Sequence, residues 1–274
     1  TVGGEPPRPH ADGDRQCPGP VEAARGSDTL SGMTEGTQGT DQQGAPAGID
    51  APLPATYNFA DLWEAIWPRA ADRTALVCGP QRPTYRELAE RGNRLAHHLR
   101  AAGVGPGDHV ALFLRNDQVY LEAMIAAFAL RAVPVNINHR YTGEELRYLL
   151  DDSSSVALLV HRTLTGQVAS VADSVAGMKA VDDPAPDTVD GDEADLPGAV
   201  AYEEALAAAS PEPVVPEGRS GDDHYLMYTG GTTGRPKGVV WRQGDAFFAC
   251  IGGGDPMRLM GPVATPAELV DRMV

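Results

Sequence analysis

The chain is short of cysteine, of aromatic side chains, of positive charge and of long apolar runs. Cys17, Cys78 and Cys250 are three in 274 residues, odd in number and far apart. They suit neither a disulfide framework nor metal-ligand spacing, and they point to a reducing compartment, read here as the cytoplasm. No apolar run reaches the length of about eighteen residues that a membrane-spanning helix needs. The first residues lack the charged-then-apolar pattern of a secretory leader. Lysine and arginine total 22 against 38 acidic residues, a net charge of -16. Such a surface repels a phosphate backbone, so no nucleic-acid partner is expected.

What is present suffices for a folded body. Hydrophobic residues make up 42% of the chain, enough for a core in one large domain or two ordinary ones. Residues 1–54 are rich in Gly, Pro, Asp, Gln and Thr with little apolar clustering, and are expected to be a disordered N-terminal extension. Met33 is a candidate start codon within it. The chain opens on Thr1 rather than Met and stops at Val274 inside an expected helix, Pro266 to Met273. Both ends are those expected of a fragment, with 55–274 as its folded part.

From Thr56 the pattern changes to alternating strands and helices. Asn58 caps a helix carrying Leu62, Trp63, Ile66 and Trp67, stopped by Pro68. Thr74 to Cys78 reads as a strand before a Gly79-Pro80 turn. Thr84-Tyr85-Arg86-Glu87 is a capping box opening a helix with Leu88, Leu95 and Leu99 on one face, ended at Gly103. His109 to Leu114 is almost continuously apolar, as a strand buried on both faces is. A helix over Val119 to Leu130, a strand over Val133 to Ile137 and a second capping box, Thr142 to Glu145, follow. That box opens a helix through Leu150, and Val156 to Val160 is the next strand. A weaker helix is expected from Leu164 to Met178, an acidic surface insertion over 182–199 and a short helix over Ala201 to Ala209. The predicted fold class is α/β, a parallel sheet of right-handed βαβ units with helices on both faces.

The densest signal is Tyr228-Thr229-Gly230-Gly231-Thr232-Thr233-Gly234-Arg235-Pro236-Lys237-Gly238. Tyr225 to Tyr228 leads in and Val239 to Trp241 leads out, each reading as a strand. Glycines let successive backbone N–H groups converge on an anion, hydroxyls add donors, and Lys237 adds a positive charge on a flexible stem. These are the parts of a polyphosphate cradle. The string is not a Walker loop, because Lys237 is followed by Gly238 rather than Ser or Thr, and it is not the Gly-x-Gly-x-x-Gly dinucleotide turn. The competing reading is a Gly-rich hairpin that binds nothing. Ten specified positions in succession weigh against it. Arg235 and Arg242 are candidate supports of the positive patch, with plain solvated charge the favoured reading of each.

The string resembles the signature of adenylate-forming (AMP-binding) enzymes, the superfamily of acyl-CoA synthetases, firefly luciferase and peptide-synthetase adenylation domains. Its usual form is Tyr-Thr-Ser-Gly-Thr-Thr-Gly-x-Pro-Lys-Gly, and Gly230 stands where Ser is usual. Thr84 to Leu88 and, loosely, Ala127 to Arg140 resemble two further core motifs of the superfamily. The run after the signature, Trp241-Arg242-Gln243 and Gly252 to Pro256, looks most like its fatty-acyl or steroid-acid CoA ligases. The resemblance implies that the parent protein joins a fatty or steroid carboxylic acid to AMP from ATP, with Mg²⁺, and passes the acyl group to the thiol of CoA. It implies that Thr229, Gly230, Gly231, Thr232, Thr233, Gly234 and Lys237 hold the β- and γ-phosphates. A carrier-protein ligase or peptide-synthetase domain is the near alternative, and a non-catalytic nucleotide-binding module the distant one.

Other candidates are weaker. His97 and His98 lie on an arginine-rich helix with no further ligand at metal spacing. His224 reads as a loop histidine, and Asp222-Asp223 as a solvated pair rather than a magnesium site. Phe247, Phe248 and Ile251 read as core, with an acyl pocket as the alternative. In the superfamily the magnesium- and adenine-contacting motifs, the ribose-binding aspartate and the adenylation lysine lie further toward the C-terminus than Val274, so no catalytic residue is assigned within this chain. The isolated 274 residues are therefore expected to show no ATP–pyrophosphate exchange, and measurable exchange would contradict that expectation.

Overall fold

A computed structural model describes residues 56–175, 179–183, 191, 193–229, 235–255 and 257–273. The 1–54 extension lies outside them. The first helix, α1 (Phe59–Ile66), begins where Asn58 accepts a hydrogen bond from the backbone N–H of Ala60 at 2.9 Å. Pro68 then sits in a 3₁₀ turn, Trp67–Ala70. The strand expected at Thr74 to Cys78 does not form. The segment makes only two isolated bridges, Thr74 to Thr84 and Cys78 to Gln81. Pro80 and Pro83 offer no N–H, so the pairing cannot lengthen into a ladder. Helix α2 (Tyr85–Ala101) carries the complete capping box: Glu87 N–H donates to Thr84 Oγ1, and Thr84 N–H donates to Glu87 Oε2.

The sheet begins with β1 (His109–Phe113), followed by α3 (Gln118–Ala129) and β2 (Val133–Asn136). Helix α4 (Gly143–Ser153) leads to β3 (Ala157–His161). The capping box expected at Thr142 is absent. Gly143 takes φ +49°, off the helical path, and the Thr142 carbonyl instead accepts from Glu145 N–H at 3.1 Å. The helix expected over Leu164 to Met178 is broken. A 3₁₀ turn at Arg162–Leu164 runs into α5 (Thr165–Ala169), and another 3₁₀ turn spans Ala172–Val175. Gly166, Ser170 and the β-branched Thr165, Val168 and Val171 hold a helix poorly.

Two strands follow that the sequence reading missed, β4 (Lys179–Asp183) and β5 (Val200–Ala201). Helix α6 (Tyr202–Ala207) precedes β6 (His224–Thr229), β7 (Lys237–Arg242) and α7 (Gln243–Cys250). The last helix, α8 (Pro266–Met273), lies where the sequence placed it.

Among the described residues these strands form one sheet in the order β5-β4-β3-β1-β2-β6-β7. Every pairing is parallel except β6 with β7. The expected class holds. Side chains of β1 alternate between two cores. Val110 and Leu112 pack with α1, α2, α3, α6 and α7 on one face. Ala111 and Phe113 pack with α4 and α5 on the other. The chain steps one way along the sheet from β1 to β2 and the opposite way from β2 to β3. A right-handed crossover must then put α3 and α4 on opposite faces, which is what the two cores show.

A polar network ties three helices on the first face. Glu122 of α3 is wholly buried and accepts from Arg91 Nε of α2 at 2.7 Å, Gln118 Nε2 at 2.6 Å and the Tyr202 hydroxyl of α6 at 2.5 Å. Arg91 also reaches Glu203 at 2.8 Å. Removing the carboxylate leaves a buried phenol and a half-buried guanidinium without their shared partner. Glu122→Ala is expected to cost about 3 kcal/mol in urea unfolding, and a loss under about 1 kcal/mol would show that the network does not hold the helices.

Candidate functional site

The signature string is the connection of a β-hairpin. Strands β6 and β7 pair antiparallel over six positions, from His224 opposite Arg242 to Thr229 opposite Lys237. Because β6 runs parallel to β2, the hairpin end of β6 lies at the carboxyl edge of the parallel strands. Open α/β sheets bind ligands outside that edge. Of the seven residues expected to hold phosphate, Gly230, Gly231, Thr232, Thr233 and Gly234 lie outside the described residues. Thr229 and Lys237 are described, and the structure brings them face to face at the mouth of the loop, both exposed. Among the described residues Lys237 has no ion-pair partner.

The two arginines separate. Arg235 lies beside the mouth, its guanidinium carbon 4.9 Å from the centre of the Tyr148 ring. Arg242 is at the far end of the hairpin and pairs with Asp245 at 2.7 Å and Asp222 at 3.2 Å. Its place in the positive patch is therefore withdrawn. Five strand positions put it about 16 Å from Lys237. His224 shares that far end, opposite Arg242, so it is the first residue of β6 and not the loop histidine expected.

The base of the hairpin is anchored by Asp223, which is not the solvated carboxylate expected of it. Its side chain, 9% exposed, accepts from Arg131 Nη2 at 2.8 Å and Arg131 Nε at 3.1 Å. It also accepts from Asn58 Nδ2 at 2.8 Å. Asn58 thus caps α1 with one amide atom and holds the entry of β6 with the other. The Asp223 carbonyl accepts from Gln243 N–H at 2.8 Å, which fixes the exit of β7 against the same residue. Gln243 Oε1 in turn accepts from Phe59 N–H at 2.7 Å.

The mouth of the hairpin is held by α4. The Tyr228 hydroxyl donates to Asp152 Oδ2 at 2.6 Å, and the Tyr148 hydroxyl donates to the Pro236 carbonyl at 3.2 Å. Burial, then the neighbouring Asp152 carboxylate, push the Tyr228 phenol well above its ordinary range, so it remains a donor at neutral pH. An open cleft of about 390 Å³ lies between α4 and the hairpin, lined by Glu144, Arg147, Tyr148, Asp151, Asp152 and Arg235.

The remaining candidates resolve as structure. His97 Nε2 meets the Glu212 carbonyl at 3.0 Å, and Nδ1 meets Arg100 at 3.0 Å. Among the described residues no three His, Cys, Asp or Glu side chains converge as metal ligands. Phe247 is core, stacked on Tyr57 with centroids 5.3 Å apart, and Phe248 meets Tyr57 edge-on. Ile251 is 57% exposed, so the three apolar residues do not face one cavity together.

A family model described as AMP-binding enzyme matches residues 63–265. The chain is similar to a 3-oxocholest-4-en-26-oate--CoA ligase of Rhodococcus rhodochrous, 45% identical over 199 residues covering 72% of this chain and 35% of that protein. It is 42% identical over 208 residues to a medium/long-chain-fatty-acid--CoA/3-oxocholest-4-en-26-oate--CoA ligase of Mycobacterium marinum, covering 74% of this chain and 37% of that one. The chain thus spans little more than a third of the length of these relatives. Among solved structures it resembles a putative long-chain-fatty-acid CoA ligase of Rhodopseudomonas palustris, with TM-score 0.60, 27% identity, and coverage of 71% and 47% of the two chains. The fold is also that of the anthranilate CoA ligase AuaEII, solved in complex with anthranoyl-AMP, at TM-score 0.61 and 23% identity over 71% of this chain and 36% of that one.

The anchor at Asp223 carries a stability consequence. Asp223→Ala leaves Arg131 and the Asn58 amide without their shared acceptor, and about 2–3 kcal/mol of stability is expected to go with it. Thermal and urea unfolding of the variant check this, and a midpoint equal to that of the unaltered chain would refute it.

Proposed function

We propose, for a chain that belongs to the AMP-binding enzyme family, that the β6–β7 hairpin holds the phosphate tail of ATP while a carboxylic acid is activated as its acyl-adenylate. The observation that carries the reading is the seating of the signature string. It is the turn at the carboxyl edge of a parallel sheet, with Thr229 and Lys237 opposed at its mouth and Lys237 unpaired among the described residues. A lysine held in an ion pair would have to give that partner up to meet phosphate, and this one need not. Its ammonium is a mobile point charge suited to the oxygens of the leaving pyrophosphate. The Thr229 hydroxyl is a donor on the opposite strand. Gly230, Gly231, Gly234, Thr232 and Thr233 complete the cradle in this reading.

In the complete protein a carboxylate oxygen attacks the α-phosphorus of ATP, the bond to the β-phosphate oxygen breaks, and pyrophosphate leaves. The thiol of CoA then displaces AMP from the acyl-adenylate. Steps of this kind are mainly positioning and charge stabilisation, which is what a fixed hairpin with one lysine supplies. Mg²⁺ accompanies the nucleotide. In this reading it would be bound mainly through the phosphates, as is usual for this metal.

A fatty or steroid acid is the proposed substrate class, supported by the names of the relatives. A carrier-protein acceptor is the second reading, because the chain is also 32% identical over 186 residues to tyrocidine synthase 2 of Brevibacillus parabrevis. Thioester formation with free CoA separates the two.

Lys237→Ala in the complete gene product tests the phosphate role. Losing one charge-assisted contact is expected to lower ATP–pyrophosphate exchange about 10- to 100-fold. Unchanged ATP affinity and exchange rate would remove the hairpin from nucleotide binding; a complete gene product with no exchange at all would leave the non-catalytic module as the better account.

A further inference from the structure

We propose that Tyr148 and Asp152 of α4, together with Tyr228 of β6, are positioning residues that hold the two roots of the phosphate loop; this rests on the reading of the hairpin given above. The reason lies in what the sheet does not hold. Strand β6 pairs with β2 at Leu226, opposite Val135. The loop begins three residues later, beyond Thr229. Over Met227, Tyr228 and Thr229 the strand partner is β7, the last strand of the sheet. A two-stranded ribbon standing off a sheet is marginal by itself.

Helix α4 supplies the missing support on both strands. On the incoming root, the Tyr228 hydroxyl donates to Asp152 Oδ2 at 2.6 Å. On the outgoing root, the Tyr148 hydroxyl donates to the Pro236 carbonyl at 3.2 Å, one residue before Lys237. The same Tyr148 ring lies under the Arg235 guanidinium. The helix is itself immobilised, because Leu146, Leu149 and Leu150 are buried against β1, β2 and β3. The clamp therefore transmits the rigidity of the sheet to a loop that the sheet does not reach.

Gly238 belongs to the same device. It pairs with Tyr228 across the hairpin. A Cβ placed on it would lie 3.3 Å from Tyr228 Cζ, the carbon that bears the hydroxyl, and 3.1 Å from Leu226 Cδ1. Both contacts are tighter than ordinary packing, so a Cβ there obliges the phenol ring or the Leu226 methyl to shift by a few tenths of an ångström. The glycine that closes the signature string thus leaves room for the ring that reaches Asp152. In this proposal the clamp residues act on nucleotide binding through the loop.

The test uses ATP–pyrophosphate exchange by the complete gene product, with KM for ATP, KM for the acid and the thermal midpoint measured for each variant. The Tyr228–Asp152 bond is exposed and the Tyr148–Pro236 bond part-buried, so Tyr228→Phe, Asp152→Ala and Tyr148→Phe are each expected to raise KM for ATP about three- to tenfold with KM for the acid unchanged. The double variant Tyr228→Phe/Asp152→Ala is expected to be no worse than the worse single, because the two share one bond. Asp152→Asn keeps an acceptor and is expected to stay within about twofold of the unaltered enzyme. Gly238→Ala is expected to match Tyr228→Phe. Multiplicative effects in the double variant overturn the proposal, as does a thermal midpoint that falls while KM for ATP stays put. Lys237→Ala separates this proposal from its premise. If that change is severe and the clamp variants are silent, the clamp alone is wrong; if that change is silent too, the phosphate reading fails with it.

Discussion

A strand that is apolar on both sides must be covered twice, and β1 imposes that requirement on the whole fold. Val110 and Leu112 face one core while Ala111 and Phe113 face the other. Neither set can be left in water without losing about 1.5–3 kcal/mol for each large side chain. Helices are therefore needed on both faces, and right-handed crossovers supply them as the chain steps first one way along the sheet and then the other. The reversal leaves β1 central, and it leaves the later hairpin to add on outside β2. The order of the strands follows from how this one segment is buried.

The hairpin inherits its exposure from that order. Among the described residues it adds on outside β2, and the β6–β7 mouth lies at the carboxyl edge of the parallel strands. An edge strand leaves backbone N–H groups unpaired by a further strand. The same position deprives the turn of strand neighbours. The structure compensates with contacts from outside the sheet at both ends. Asp223, gripped by Arg131 and Asn58, holds the base. Tyr228 and Tyr148 hold the mouth against α4.

Much of this was legible from residues alone because it depends on local rules. The Asn58 cap, the Thr84–Glu87 box, the buried run at β1 and the strands flanking the signature all follow from patterns a few residues long. The failures have a common cause as well. Thr74 to Cys78 has strand-forming residues, but Pro80 and Pro83 deny it a partner. Thr142 and Glu145 have the spacing of a box, but Gly143 turns the backbone away from it. β4 reads Lys-Ala-Val-Asp-Asp, which alternates too weakly to be seen; its strand character comes from pairing with β3 along five positions. Asp223 looks like any acidic loop residue until Arg131, ninety-two positions away, is brought against it.

The amino-acid sequence by itself determined the class of sheet, the identity of the signature string and the family to which the chain belongs. Each is written in consecutive residues, where backbone sterics and hydrophobic period act directly. The tertiary structure alone decided which charges flank the string and which are spent elsewhere: Arg235 beside the mouth, Arg242 at the far end, Asp152 beneath a tyrosine. Those outcomes depend on the order of strands and on which helix covers which face. A pairing between residues seventy-six positions apart, as for Tyr228 and Asp152, is set by packing around β1 and has no counterpart in local pattern.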